Sequence, residues 1–206
     1  MDWSAFFTEI LTGQVLYTND GDTAVFATAD GTEVRVRFVG IDTPETHLNG
    51  KDQGKWAFAA ADRLKELLPN GQAVKIKLDR LACDSRNRTL GYVYVNGINI
   101  NQLMVAEGWA VNYCVAPNLS QCDELKVLVE QNILEKRGFI ADATVKLPYI
   151  FREDEYKSDY QYYIGDINTK RVIRSSHMDE VPVAQRVFFY SARQIRRPYR
   201  LAPGVK

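Results

Sequence analysis

The chain has 206 residues, 46% of them hydrophobic, enough to enclose one full core with a small appendage. No run approaches the roughly 18 apolar residues of a membrane helix, and Met1 to Thr12 carries Asp2 and Glu9 without a basic start or a small-residue cleavage site. The composition therefore predicts a soluble globular chain with neither a membrane segment nor a signal peptide. Formal net charge is zero but unevenly spread. Arg186, Arg193, Arg196, Arg197, Arg200 and Lys206 give the segment after Glu180 a charge of +6 with no acid, which leaves −6 for the rest. Such a tail suits sequence-independent contact with a polyanion, and equally a solvated terminus. Cys83, Cys114 and Cys122 are too few for a disulfide scaffold and lack the paired spacing of a zinc site. A Cys114–Cys122 bridge and free thiols both remain open.

In chain order, β-rich segments come first, at Gln14 to Thr18, Thr23 to Ala27 and Val34 to Ile41, with Asp20-Gly21 and Asp30-Gly31 as turns between them. Val34, Val36 and Phe38 alternate with Arg35, Arg37 and Val39, which puts Arg37 on the face opposite the apolar set. A helix is predicted from about Gln53 to Leu68, with Trp56, Ala60 and Leu64 on one stripe and Pro69-Asn70-Gly71 ending it. Strands follow at Ala73 to Leu78 and Thr89 to Val95. A short helix from Ile100 to Glu107 is capped by Asn99 and stopped by Gly108. A longer one runs from Gln121 to Arg137, with Ser120 as N-cap, Gly138 as stop, and Leu125, Leu128, Val129 and Ile133 facing the core. Pro148 then opens an aromatic, charged linker, Tyr149 to Tyr163, and a small separate unit follows whose clearest strand is Arg186 to Ser191. The order of elements predicts an α+β fold, a small β-barrel flanked by helices.

Asp42-Thr43-Pro44-Glu45, with Arg37 upstream and Asp22 on the Asp20-Gly21-Asp22-Thr23 turn, gathers oxygen ligands and a cation around one point. Hard divalent cations take carboxylate and carbonyl oxygens, so Asp22, Asp42 and the Thr43 carbonyl form a partial site with room for water and substrate. Glu45, beyond the stiffening Pro44, is placed to reach a metal-adjacent water as general base. A guanidinium forks onto two phosphate oxygens, which suits Arg37 and, at the start of the strand after Asp84-Ser85-Arg86-Asn87, Arg88.

These motifs, together with Val39-Gly40-Ile41 and Leu90-Gly91-Tyr92-Val93-Tyr94, resemble the staphylococcal nuclease (thermonuclease) family over roughly Gly13 to Ala141. The resemblance implies a five-stranded oligonucleotide-binding (OB) barrel with three helices. It also implies a calcium-dependent phosphodiesterase that cuts DNA and RNA, breaks the bond from phosphorus to the 5′ oxygen and leaves 3′-phosphate ends. By that resemblance Asp22, Asp42 and Thr43 hold calcium, Glu45 handles water, and Arg37 and Arg88 bind the phosphate. All six positions are filled. Arg86-Asn87-Arg88 departs from the family's Tyr-Gly-Arg, so Arg86 is a candidate substrate contact in place of an aromatic, and Tyr113 a candidate for base stacking without its usual second aromatic near Cys114 to Ala116.

The tail more faintly resembles a small zinc-binding module appended to such nucleases, with Ile173, His177, Ala202 and Val205 where ligands are expected, so a metal site there is read as lost. The expected division is residues 1–145 as the nuclease domain, 146–163 as linker and 164–206 as a small basic module. Partners are expected to be DNA and RNA substrate, with no membrane and no obligate protein partner. Magnesium and manganese share the carboxylate chemistry, so calcium rests on the resemblance alone. Export is expected only by the same resemblance. The rival reading is a non-catalytic OB-fold module that binds nucleic acid or protein.

Overall fold

A computed structural model describes residues 10–157 and 161–205. Asp2 and Glu9, residues 158–160 of the expected linker and Lys206 lie outside the described residues. Five strands close the barrel: β1 (Ile10–Thr18), β2 (Thr23–Thr28), β3 (Glu33–Phe38), β5 (Ala73–Cys83) and β6 (Thr89–Val95). Neighbours pair antiparallel, Val15 with Phe26, Val25 with Arg35, Leu11 with Ile76 and Ile76 with Val93. A parallel pairing of β3 with β6, Arg37 opposite Leu90, shuts the ring. Strand alternation does the sorting: Val15, Phe26, Val36, Phe38, Ile76 and Val93 are buried inside, while Arg37 stands on the other face.

The expected third strand is two. Gly40, at φ +81°, turns the chain after Phe38, and β4 (Gly40–Asp42) leaves the barrel wall to pair with β8 (Val111–Val115), Ile41 opposite Asn112. β8 was not expected from sequence, and it starts a second sheet.

Helix α1 (Lys55–Leu67) buries Ala57, Ala60 and Leu64 against the barrel. α2 (Ile100–Ala106) follows the two-residue β7 (Ile98–Asn99) and is capped as expected, Asn99 accepting from the Gln102 amide. α3 (Cys122–Glu135) corrects two expectations. Ser120 does not cap it, because its hydroxyl donates to Asp79, and Ile133 is exposed while Asn132 is buried one position earlier. Lys136, in the left-handed region, ends the helix before Gly138, whose role is close approach: a Cβ there would lie 2.1 Å from the Gly108 carbonyl oxygen.

The stretch expected as a linker contains a fourth helix, α4 (Pro148–Tyr156), with Pro148 in its first turn. Nor do residues 164–205 stand apart. β9 (Tyr163–Asp166), β10 (Arg171–Arg174), β11 (Arg186–Phe189) and β12 (Arg200–Leu201) continue the second sheet in the order β12-β10-β9-β11-β8-β4. β11 runs parallel to β8, Val187 opposite Cys114, and Ile164 and Phe188 share a core with Val111 and Leu125. Ile173 and Ala202 are buried where the zinc-module resemblance would place ligands, and His177 is exposed beside Glu180. Packing holds this unit. Cys114 and Cys122 form a disulfide that ties β8 to the start of α3, and Cys83 is free and exposed. No helix among the described residues is long and apolar enough to cross a membrane.

Candidate active site

Two turns meet at the site. Gly21 lets the Asp20-Gly21-Asp22 turn lie against Thr43, since a Cβ there would come within 2.8 Å of the Thr43 side chain. The close approach lets the Thr43 amide donate to Asp22 Oδ2 at 3.1 Å. Asp22 on its turn and Asp42 at the end of β4 therefore face one space, with Asp42 placed by the departure of β4 from the barrel. Its side chain has no exposed surface.

Arg37 lies between the two aspartates. Nη1 is 3.0 Å from Asp22 Oδ2, Nη2 donates to Asp42 Oδ1 at 2.8 Å, and Nη1 also donates to the Phe38 and Ile41 carbonyls. Four fixed acceptors hold a planar fork in one orientation. Glu45 is positioned by its amide, which donates to Gln53 Oε1 at 3.0 Å. Burial pushes the Glu45 carboxyl above its usual range, opposed by Arg152. Burial likewise raises Asp42, against Arg152 and Arg37. Asp20, half-buried beside Asp22, is pushed up to about 7 by burial and then by its neighbour's charge.

Asp22, Glu45, Arg37, Arg86, Arg88 and Tyr113 all line one cleft of about 600 Å³, while Asp42 and Thr43 are buried behind that lining, bonded to Arg37 and Asp22. The sequence-predicted residues thus come together. Arg88 enters the wall already paired, its Nε and Nη2 each 2.8 Å from Asp84 Oδ2. Arg86 sits on the same loop, its amide bonded to Asp84 Oδ1. Tyr113 has less freedom than its expected role suggests. Its ring stacks on Tyr149 at 5.8 Å, touches Phe188 at 4.7 Å and shares a hydroxyl hydrogen bond with Tyr190.

The C-terminal segment supplies what the sequence reading missed. Arg152 on α4 lines the cleft and reaches Asp42 behind it, Nη1 donating to Asp42 Oδ1 at 2.8 Å and Glu45 Oε1 at 2.6 Å, Nη2 to Asp42 Oδ2 at 2.7 Å. Its guanidinium carbon lies 5.3 Å from the centre of the Tyr113 ring. Tyr149 fixes α4 by accepting from Arg186, which is buried and not part of a solvated tail. Pro148 at a first helical position was the sequence signal for α4, and nothing marked where Arg152 would point.

The charge on Asp22 adds to the raised proton affinity of Asp20, Asp42 and Glu45, so four carboxylates lie close together and offer the hard oxygen that fits a divalent cation. Among the described residues no three His, Cys, Asp or Glu side chains converge as a ready cage. The arginines are interposed.

Residues 35–140 match the family model described as staphylococcal nuclease homologue. The chain is 30% identical over 183 residues to Endonuclease YhcR of Bacillus subtilis, covering 84% of this chain and 15% of the relative. It is 36% identical over 112 residues to the Thermonuclease of Staphylococcus intermedius, covering 54% of this chain and 63% of the relative. The SPbeta prophage-derived endonuclease YokF of Bacillus subtilis is 33% identical over 133 residues, 60% of this chain and 44% of that protein. The chain thus spans less than two thirds of each of these relatives. The Endonuclease YhcR match, at 84% of 206 residues, is too long to stop at residue 140 and takes in part of the C-terminal segment.

Proposed function

Since the chain belongs to the staphylococcal nuclease family, we propose that it is a metal-dependent nuclease hydrolysing phosphodiester bonds in DNA and RNA. The observation that carries this reading is the meeting of Asp22, Asp42, Glu45, Arg37 and Arg88 around one cleft. Nuclease and endonuclease are also the printed names of the relatives.

Asp22, Asp42 and the Thr43 carbonyl would hold the cation, calcium by family resemblance. When bound, it neutralises charge on the phosphate and lowers the pKa of nearby water. Glu45 takes a proton from the attacking water, burial having raised its proton affinity. Arg37 and Arg88 donate to the phosphate oxygens as charge builds on them, a contribution on the order of 10²–10³ in rate per donor in comparable sites. The new bond joins water oxygen to phosphorus, the bond to the 5′ oxygen breaks, and that oxygen leaves with a proton. The products carry a 3′ phosphate and a 5′ hydroxyl. The cleft reads backbone rather than base edges, so single strands or frayed duplex are the preferred substrates. We assign the enzyme to an oxidising compartment, in keeping with the Cys114–Cys122 bridge.

One observation favours a binding-only module instead: Arg152 engages both Asp42 and Glu45. Incubating the chain with single-stranded DNA in millimolar calcium, and in chelator, separates the two readings. Cleavage in calcium that stops in chelator supports the enzyme. Binding without cleavage in either condition supports the module.

A further inference from the structure

We infer that Arg152 is a built-in counter-cation for the metal carboxylates, a group carried by the C-terminal segment that a divalent cation must displace to bind. The inference rests on the assignment of Asp42 and Glu45 above. Both oxygens of Asp42 accept from this one guanidinium, and Glu45 Oε1 accepts from it too. Arg37 adds a second donor to Asp42 Oδ1. A hard cation ligates carboxylate oxygen at about 2.3–2.6 Å and needs lone pairs aimed at it. In a pocket where Asp42 has no exposed surface, a guanidinium on the same oxygens repels that cation with little screening. Arg152 and the metal therefore exclude each other from Asp42.

Local packing allows the exchange. α4 is anchored through Tyr149, which is buried, stacked on Tyr113 and bonded to Arg186, so the helix stays while a side chain with 22% exposure moves. The guanidinium already lies over the Tyr113 ring, and the cleft wall carrying Arg37 and Arg88 adjoins it. The released cation keeps an aromatic partner and joins the wall that faces the phosphate. In the metal-free chain the same group neutralises buried acids that would otherwise repel one another. The C-terminal segment thereby stabilises the metal-free fold and weakens metal affinity through one side chain.

The test is calcium binding by isothermal titration calorimetry on the full chain and on R152Q and R152K, with melting measured with and without calcium. R152Q is expected to bind calcium at least tenfold more tightly than wild type, to melt lower without calcium, and to gain more on its addition. R152K keeps the charge and falls between. Equal or weaker binding by R152Q overturns the inference, because an arginine that merely supports the fold would leave affinity unchanged and one that helps hold the metal would lower it. Absence of calcium binding by every chain overturns it as well. Should R152Q fail to fold, wild type with 15N-labelled arginine gives a second readout. The Arg152 guanidinium signal, identified by its loss in R152K, is protected from exchange without calcium and loses protection at saturation, whereas persistent protection overturns the displacement. Calcium binding is read without nucleic acid, and cleavage is read on unmodified chain, so either reading can fail alone.

Discussion

Arg37 Nη1 lies 3.0 Å from Asp22 Oδ2, a pair set by the register that puts Thr23 opposite Arg37 across β2 and β3. The same guanidinium also donates to Phe38, Ile41 and Asp42, so its geometry is fixed before substrate arrives. Arg37→Lys keeps the charge but loses the fork. Cleavage is expected to fall on the order of 10²-fold, and stability by about 1–3 kcal/mol, because the Phe38 and Ile41 carbonyls lose their side-chain donor. Steady-state rates and denaturant melts measure the two effects separately.

The Cys114–Cys122 bridge closes a short loop between β8 and α3. By the chain-entropy relation, a loop of this length contributes about 2.5 kcal/mol. Reduction, or Cys114→Ala with Cys122→Ala, should lower the urea midpoint accordingly. An unchanged midpoint in reductant would show that the bridge adds nothing to stability.

Arg186 and Arg193 are both tail arginines in sequence and opposite in structure. Arg186 is buried and donates to the Tyr149 hydroxyl and the Val181 carbonyl, whereas Arg193 is exposed. Arg186→Ala orphans two buried acceptors and should cost about 3 kcal/mol. Arg193→Ala should stay within about 0.5 kcal/mol. Thermal melts of the two variants side by side check the contrast.

Glu107 accepts two hydrogen bonds from Arg63, both at 2.7 Å, joining α2 to α1. Those bonds hold its carboxyl below the usual range. A depressed folded value means stabilisation that is present above the unfolded value of about 4.3 and lost as pH falls through the folded one. Glu107→Gln should therefore flatten the loss of stability below about pH 4.3, by less than about 1 kcal/mol for this partly exposed pair. An unaltered pH profile would contradict the assignment.

The barrel was legible because each of its strands carries its own signal: Asp20-Gly21 and Asp30-Gly31 are local turns, and Val36 and Phe38 alternate with Arg37 on one short segment. Asp22, Asp42 and Glu45 could be named for the same reason, since each lies in a turn or strand end whose chemistry is local. β8 was hidden because Val111-Asn112-Tyr113-Cys114-Val115 becomes a strand only through partners distant in sequence, β4 and β11. Arg152 was hidden more deeply. A cation on a short charged helix reads as a solvated residue until tertiary packing points it 110 positions back along the chain at Asp42. The stretch read as linker opens on an aromatic residue because Tyr149 fills space beside Tyr113 and Phe188.

Glu45, Arg37 and Arg88 are expected to act on one phosphodiester at the Asp22–Asp42 site. Mass spectrometry of the ends released from a single-stranded DNA oligonucleotide in calcium, by wild type and by Glu45→Gln, checks this. Wild type is expected to release 3′-phosphate and 5′-hydroxyl ends, and Glu45→Gln to cut at a rate at least on the order of 10²-fold lower, as follows from loss of a general base. Ends of the opposite polarity, or a Glu45→Gln chain that cuts as fast as wild type, would contradict it.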